Sequence, residues 1–440
     1  MPTARVLTPV RNQMQFVNHS LDDLVPDDAP VREVWAYVES LDLSAFYNSI
    51  RAIEGGPGRP AIDPRVLLAL WIFATSEGIG SARQIDRLCE RDVMYRWLCG
   101  GVGVNYHALA TFRSQNAERL DVLLRQHVTA LVDAKVIQLK TIVQDGVRIR
   151  ASAGSSSFRR RSRLETIAAE VEAQIAALKG ELEADPGASD RRALKRKQVA
   201  AEQRQEKVRR ALERARELEE KRSQTKSHKS KAEQEKSKRK VAKGEVRASS
   251  TDPDAHRMKM GDGGYRPAYN EQVAIDPKSH FIVATETTNQ GLDGGMLPPM
   301  VEKIEKAYNA VPETMIADGG FVTKAAIQTL HEKGVKVIAP VDKPRSGRDP
   351  YQRMDKDSEG VGQWRERMGK EEGRTLYKMR SIVEWIFARY RNWNLRLLRV
   401  REKARVRSTM LLAALTHNIL HDIARLNKAK RQSKAATLSV

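Results

Sequence analysis

The chain reads as an α/β protein, a mixed sheet flanked by helices, with a helical N-terminal region before it and a helical hairpin inserted into it. Three observations predict this. The β-branched runs "TIVQD" (141–145) and "TMIAD" (314–318) each stop at Asp-Gly, as strands do. After residue 265, strand-like and helix-like segments follow one another in the order of a mixed sheet with covering helices. Between 159 and about 245, apolar residues recur at spacings of three and four in a highly charged background.

The elements follow in order. "AIDPRVLLALWIFATSEGI" has Pro64 near a helix start and a strong apolar run. "SARQIDRLCERDVMYRWLCG" offers Ser81 as an N-cap and Gly100-Gly101 as a stop. "NYHALATFRSQNAERLDVLLRQHVTALVDA" is a further helical stretch. Short helices, Gly turns and arginines fit either a helix-turn-helix DNA reader or an ordinary helical bundle. After the first strand, "VRIRA" alternates.

The inserted stretch carries Leu164, Ile167, Val171, Ile175, Leu178 and Leu182 on one seam, a narrow coiled-coil stripe, with Gln174 at the strict heptad slot. A second helix carries Leu194, Val208, Leu212 and Leu218, so a hairpin turning at Asp185-Pro186-Gly187 is expected. "KRSQTKSHKSKAEQEKSKRKVAKGEVR" then has almost no apolar residue and reads as flexible and basic, suited to DNA contact more than to a solvated spacer. "EQVAID" and "FIVATET" flank "PKSH" as a β-hairpin. "GGMLPPMVEKIEKAYNA" is a helix, "ETMIADGGF" a strand, "TKAAIQTLHEKG" a helix and "VKVIAPV" a strand. "STMLLAALTHNILHDIARLNKAK" reads as a closing amphipathic helix and "RQSKAATLSV" as a loose tail.

Composition narrows the function. The 440 residues allow two or three domains. Lys+Arg 77 against Asp+Glu 56 gives a formal charge of +21, which favours a polyanionic partner. The longest apolar run, "VLLALWIFA", is far below the ~20 residues of a membrane span, and "MPTARVLTPV" has no apolar block of a secretory leader. Two cysteines, Cys89 and Cys99, suit a reducing compartment and exclude a disulfide scaffold, and no Cys/His group has zinc spacing. With His417 and His421, these cysteines are expected to pack or cap.

Three carboxylates stand out by position. Asp145 and Asp318 each end an apolar strand before Gly, and neighbouring strands would bring them together at the carboxyl edge of a sheet, where ligand sites collect. In "RSIVEWIFARYR", Val383, Ile386, Phe387 and Tyr390 form a buried helical stripe. Glu384 lies at its rim. Tyr377 and Arg391 fall about 20° from Glu384 around the helix and Arg380 about 40°. A carboxylate at such a rim needs a counter-charge, from arginine or from a metal. Asp262, Asp293 and Asp342 are further acids that the sequence leaves unranked.

The order Asp, Asp, Glu in these settings resembles the DDE transposases of bacterial insertion sequences. Tyr377, Arg380, Glu384 and Arg391 resemble the Tyr-x2-Arg-x3-Glu-x6-Lys signature of one branch, with Arg in the last place. "IADGGF" and "QDGVRIRASA" are similar to its second and first Asp motifs. "TDPDAHRMK" to "YNEQVAID" is similar to the segment after the insertion, and "DPRVLLALWIFATSEGIGSARQIDRLCERDVMYRWLCG" with "FRSQ" to the helical N-terminal domain.

The resemblance implies an RNase H-like core in two parts, 136–158 and 251–430. It also implies a helical DNA-binding and dimerisation domain over 1–135, a basic coiled-coil hairpin with a flexible segment over 159–250, and a tail over 431–440. Asp145, Asp318 and Glu384 would be both the catalytic residues and the ligands of two Mg²⁺ (or Mn²⁺) ions. Tyr377, Arg380 and Arg391 would contact DNA. The implied activity is cleavage at transposon ends and transfer of the 3′-OH into target DNA. The expected partners are double-stranded DNA and, in the synaptic complex, a second copy of the chain; no membrane is involved, and the location is the bacterial cytoplasm, at the nucleoid. The rival readings are a catalytically inactive or repurposed DNA-binding protein, a metal-dependent nuclease without strand transfer, and a coiled-coil structural protein, against which the strand-rich flanks with paired Asp-Gly ends speak.

Overall fold

The computed structural model describes residues 18–50, 52, 60–184, 187–227, 246–343 and 347–437. It opens with α1 (Pro30–Glu39), α2 (Ser44–Tyr47), α3 (Pro64–Ser76), α4 (Ala82–Arg91), α5 (Val93–Cys99), α6 (Tyr106–Gln115) and α7 (Ala117–Asp133). Asp63 caps α3 by accepting from the Arg65 N–H at 2.8 Å, with Pro64 at the first helical position. Val66–Ala74 is buried on every side, so the longest apolar run is a core helix. Gly100, at φ 54°, ends α5 as expected. Ser81 precedes α4 without a side-chain cap, whereas Asp92 caps α5. The stretch after Asn105 is two helices, broken at Asn116.

Among the described residues, six strands form one sheet. They are β1 (Thr141–Arg150), β4 (His256–Lys259), β5 (Tyr265–Ile275), β6 (Ile282–Thr288), β7 (Thr314–Ala317) and β8 (Lys336–Ile338). β5 runs antiparallel to β1, with Val143 opposite Ile275 and Arg150 opposite Ala268. β4 and β6 both pair with β5, antiparallel. β7 pairs with β1 in parallel, from Thr141 opposite Thr314 to Gln144 opposite Ala317, and β8 continues in parallel beyond it. A mixed sheet in this order, flanked by helices, is consistent with an RNase H-like core. The first strand was expected to end at Asp145. Instead β1 runs on to Arg150, because β5 keeps pairing with it after β7 has left.

The flanking helices are α10 (Leu297–Tyr308), α11 (Lys324–Glu332), α12 (Glu359–Gly369), α13 (Glu371–Lys378), α14 (Ile382–Asn392) and α15 (Lys403–Thr437). The last was expected to be amphipathic. In fact Ser408–Ile419 is buried all round, with N-terminal helices on one side and β6 on the other. Asn418 exchanges hydrogen bonds with the backbone of Ile282 at 2.9 and 2.8 Å, and Asp422 accepts from Tyr37 at 2.6 Å. The N-terminal helices and the sheet therefore share one apolar core. The helix also continues through Arg431–Thr437, where a loose tail was expected.

The inserted hairpin consists of α8 (Arg161–Glu183) and α9 (Ala188–Ser227), and its neck is closed by β2 (Phe158–Arg160) pairing antiparallel with β3 (Arg247–Ser249). Leu164, Ile167, Val171, Ile175 and Leu178 are buried as the seam predicts. They meet Val208 and three small residues, Ala201, Ala211 and Ala215. At its root, Arg210 Nη2 donates to both Asp254 oxygens at 2.8 and 2.9 Å. Asp254 also accepts from the Lys403 N–H at 2.9 Å, and Asp252 from the Glu402 N–H at 3.1 Å, so the hairpin is tied to the start of α15. Asp185 and Pro186 of the expected turn, and residues 228–245 of the expected flexible basic segment, lie outside the described residues.

Leu415, fully buried in α15, tests the shared core. Leu415→Ala should cost about 2–5 kcal/mol in urea unfolding. The helical and sheet signals should still move in one transition, whereas separate transitions would mean two independent cores.

Candidate active site

The site begins with the pairing of β1 and β7. Because Gln144 lies opposite Ala317 in parallel register, the next residues, Asp145 and Asp318, leave the paired strands side by side. Each carboxylate accepts from the N–H of the glycine that follows it, at 2.7 Å for Asp145 and 2.8 Å for Asp318. Asp318 is exposed and heads a 3-10 turn, Gly319–Phe321. The Asp145 side chain is only 15% exposed. Burial pushes its carboxyl up to about 6; the Gly146 N–H and Arg380 pull it down, while Asp318 and Asp293 add to the rise.

Glu384 arrives on α14. Val383, Ile386, Phe387 and Tyr390 are buried, as their spacing predicts, and hold that helix on the core. The expected continuous helix through Tyr377 is not uniform: α13 passes into α14 through a 3-10 turn at Met379–Ser381. Arg380 sits in that turn. Its Nη1 meets Asp145 Oδ2 at 2.6 Å and its Nη2 lies 3.7 Å from Glu384 Oε1, so one guanidinium bridges two of the three expected acids. The Glu384 side chain is 70% exposed. Burial raises the Tyr377 phenol against the pull of Arg380 beside it. Arg391, two turns further on, is exposed.

Of the acids left unranked, Asp293 proves to be the one next to the site, packed against Gly146. Asp262 pairs with Arg266 on the exposed β4–β5 turn, and Asp342 is exposed beyond β8. Glu271 was not singled out at all. It faces the same side of the sheet as Asp145, fully buried, with Thr285 and Thr287 donating to its two oxygens. Its signal in the sequence is a lone acid in the apolar strand "EQVAI". His417 and His421 pack, with their Nε2 atoms against the carbonyls of His280 and Ser279 at 3.1 and 2.9 Å. Cys89 is half-buried and Cys99 buried.

Residues 243–419 match the family model described as a transposase DDE domain. The chain carries a transposase DDE domain. Residues 19–115 match a second model, the transposase domain DUF772, over the N-terminal helices. No curated protein and no solved structure matches the chain. The DDE domain is that of a catalytic phosphoryl-transfer family, and the family implies DNA binding and the use of a divalent metal. The match contains Asp318 and Glu384 and begins after Asp145, which the sheet brings back to it.

The DDE domain's acids suit a divalent cation in kind. Hard carboxylate oxygens are the right donors, and the mostly buried Asp145 carboxylate already faces one cation, Arg380, at 2.6 Å. Among the described residues, no three acid, His or Cys side chains converge closely enough to hold an ion. Arg380 bridges Asp145 and Glu384, and Glu384 turns outward. Among the described residues, no helix is long and apolar enough to cross a membrane.

Glu271 beneath this site gives a pH test. Burial pushes its carboxyl up to about 7, although the two threonine hydroxyls pull it down. The fold thus prefers the neutral acid, so this group's contribution is complete below the usual carboxylate range of about 4.3 and is lost as pH rises towards 7. Between pH 5 and pH 8, wild-type unfolding free energy should fall by on the order of 1–3 kcal/mol more than that of Glu271→Gln. An identical pH dependence of the two in urea titrations would contradict this.

Proposed function

We propose that this protein is an insertion-sequence transposase that cuts DNA at transposon ends and transfers the freed 3′-OH into target DNA. The observation that carries the reading is the side-by-side placement of Asp145 and Asp318 beside the helix that bears Glu384 and the 3-10 turn that leads Arg380 into it. In this reading Asp145, Asp318 and Glu384 hold two Mg²⁺ or Mn²⁺ ions. When bound, such a pair activates water or a 3′-hydroxyl and stabilises the leaving oxygen of an in-line displacement.

The chain's own groups do the rest. Asp145, fixed in a strand and mostly buried, provides a rigid carboxylate; Glu384, exposed on its helix rim, provides one that can turn in. Arg380 neutralises Asp145 until a stronger cation is present, and its fork then suits a terminal phosphate. Tyr377 and Arg391 flank it on the DNA side. The DUF772 region, within the domain over 1–135, is assigned to DNA ends and dimer contacts, and the basic hairpin to sequence-independent duplex affinity with its salt dependence. The active complex in this reading is a dimer that synapses two ends in the bacterial cytoplasm.

One observation favours a second reading. Arg380 ties up Asp145, which is also what a catalytically silent DNA-binding descendant would retain. The test uses labelled duplexes taken from the DNA flanking the protein's own coding sequence, with Mg²⁺ present. The wild type should nick them and give strand-transfer products. Asp145→Asn, Asp318→Asn and Glu384→Gln should each lower nicking at least about a thousandfold, the worth of several kcal/mol of metal-borne stabilisation, with end binding largely retained. Binding without nicking by the wild type would favour the silent reading. Nicking without joined products would favour a nuclease.

A further inference from the structure

Asp293 lies in the segment between β6 and α10, and its side chain is 15% exposed. Its Oδ1 accepts from Asn270 Nδ2 at 2.6 Å and from Gln272 Nε2 at 2.9 Å. Its Oδ2 accepts from Arg148 Nη2 at 3.1 Å. Gln272 in turn accepts from Gln144 Nε2 at 3.0 Å. All these partners sit on β1 or β5. Alternation along the paired strands puts Gln144, Gly146, Arg148, Asn270 and Gln272 on the face opposite Asp145.

The network presses directly on the backbone beside that acid. A Cβ on Gly146 would stand 2.4 Å from Gln272 Nε2 and 2.8 Å from both Asn270 Oδ1 and Asp293 Oδ1. No side chain other than hydrogen fits there. Asp293 thus closes over the residue that follows Asp145 and ties Arg148 on β1 to Asn270 and Gln272 on β5 around it. An aspartate is the right group for the position: it only accepts, and three donors converge on it. Asparagine would turn an NH₂ towards one of those donors, and alanine would take the acceptor from Gln272 Nε2 while Arg148 and Asn270 kept only the carbonyls of Gly291 and Gln290.

We propose that Asp293 is a positioning residue, which clamps β1 to β5 at Gly146 and thereby fixes the Asp145 carboxylate for the divalent cation. The inference rests on the function proposed above. Asp293 acts through the strand and touches neither the cation nor DNA.

The experiment uses the full chain. Mn²⁺ is titrated calorimetrically without DNA, the Mg²⁺ dependence of end nicking is measured, and melting temperature and end-DNA binding are followed alongside. Asp293→Asn should lower Mn²⁺ affinity about tenfold or more, as loss of an outer-shell partner does, and raise the Mg²⁺ needed for half-maximal nicking by a similar factor. Melting temperature should fall by only the few degrees that one mispaired buried hydrogen bond costs, and end binding should stay near wild type. If Asp293→Asn does not fold, Arg148→Met, which removes one of the three contacts, should show a smaller change in the same direction. Wild-type Mn²⁺ affinity and Mg²⁺ requirement in a folded variant would overturn the inference while leaving the proposed function intact. A wild-type protein that binds no Mn²⁺ would overturn both.

Discussion

Two strands separated by a long insertion pair in parallel, and the position of each acid follows from that pairing. With Gln144 against Ala317, Asp145 and Asp318 come side by side where β7 parts from β1, Asp145 staying in the sheet on β5 and Asp318 standing at the end of its strand. A slip of one residue would send one of them to the opposite face, because side chains alternate along a strand. The mostly apolar cores of both strands, Ile142 to Val143 and Met315 to Ala317, are buried on each face and hold the register. The helix bearing Glu384 is added to this frame, seated by its own buried stripe and joined to Asp145 through Arg380. The site is thus a fixed acid in the sheet, an exposed acid at a strand end and a third on a helix rim, with an arginine spanning the gap.

The surroundings isolate this frame from the insertion. The hairpin leaves and re-enters through the short β2–β3 ladder, and Arg210 and Asp254 tie it to the start of α15. Its reach is set by the 23-residue α8, about 35 Å at ~1.5 Å per residue. The strands it interrupts nevertheless pair as if contiguous. On the other side, α15 fills the space between β6 and the N-terminal helices, so the DUF772 region and the DDE domain are packed as one body.

Much of this was legible in the residues, for reasons that differ by element. The strand ends at Asp145 and Asp318 are marked by an apolar run followed by Asp-Gly, and the azimuth of Glu384 by a helical stripe; each signal is weak alone, and only their combination singles out the three acids. The signals that failed are non-local. Nothing near Asp145 says that β5 keeps pairing after β7 leaves, so the strand looked shorter than it is. The closing helix looked amphipathic because Ser408, Thr409, Thr416, His417 and Asn418 are polar. They are buried all the same, with Thr409, Thr416 and Asn418 satisfied by backbone partners and His417 by a carbonyl. The stretch after Arg431 contains no Gly or Pro before Val440, which is why the helix can run on to Thr437. Asp293 sits in "GLDGG", which looks like a turn; its importance appears only when Asn270, Gln272 and Arg148 converge on it from two strands.

In the function proposed here, Asp145, Asp318 and Glu384 close around divalent cations once Arg380 lets go. The most direct measurement is anomalous scattering at the manganese edge from crystals soaked in Mn²⁺. The account predicts manganese peaks within coordination distance, about 2.0–2.2 Å, of oxygens from Asp145 and Asp318, with Glu384 turned inward and Arg380 drawn away from Asp145. Saturating Mn²⁺ with the Arg380–Asp145 pair intact and no peak between the two aspartates would contradict it.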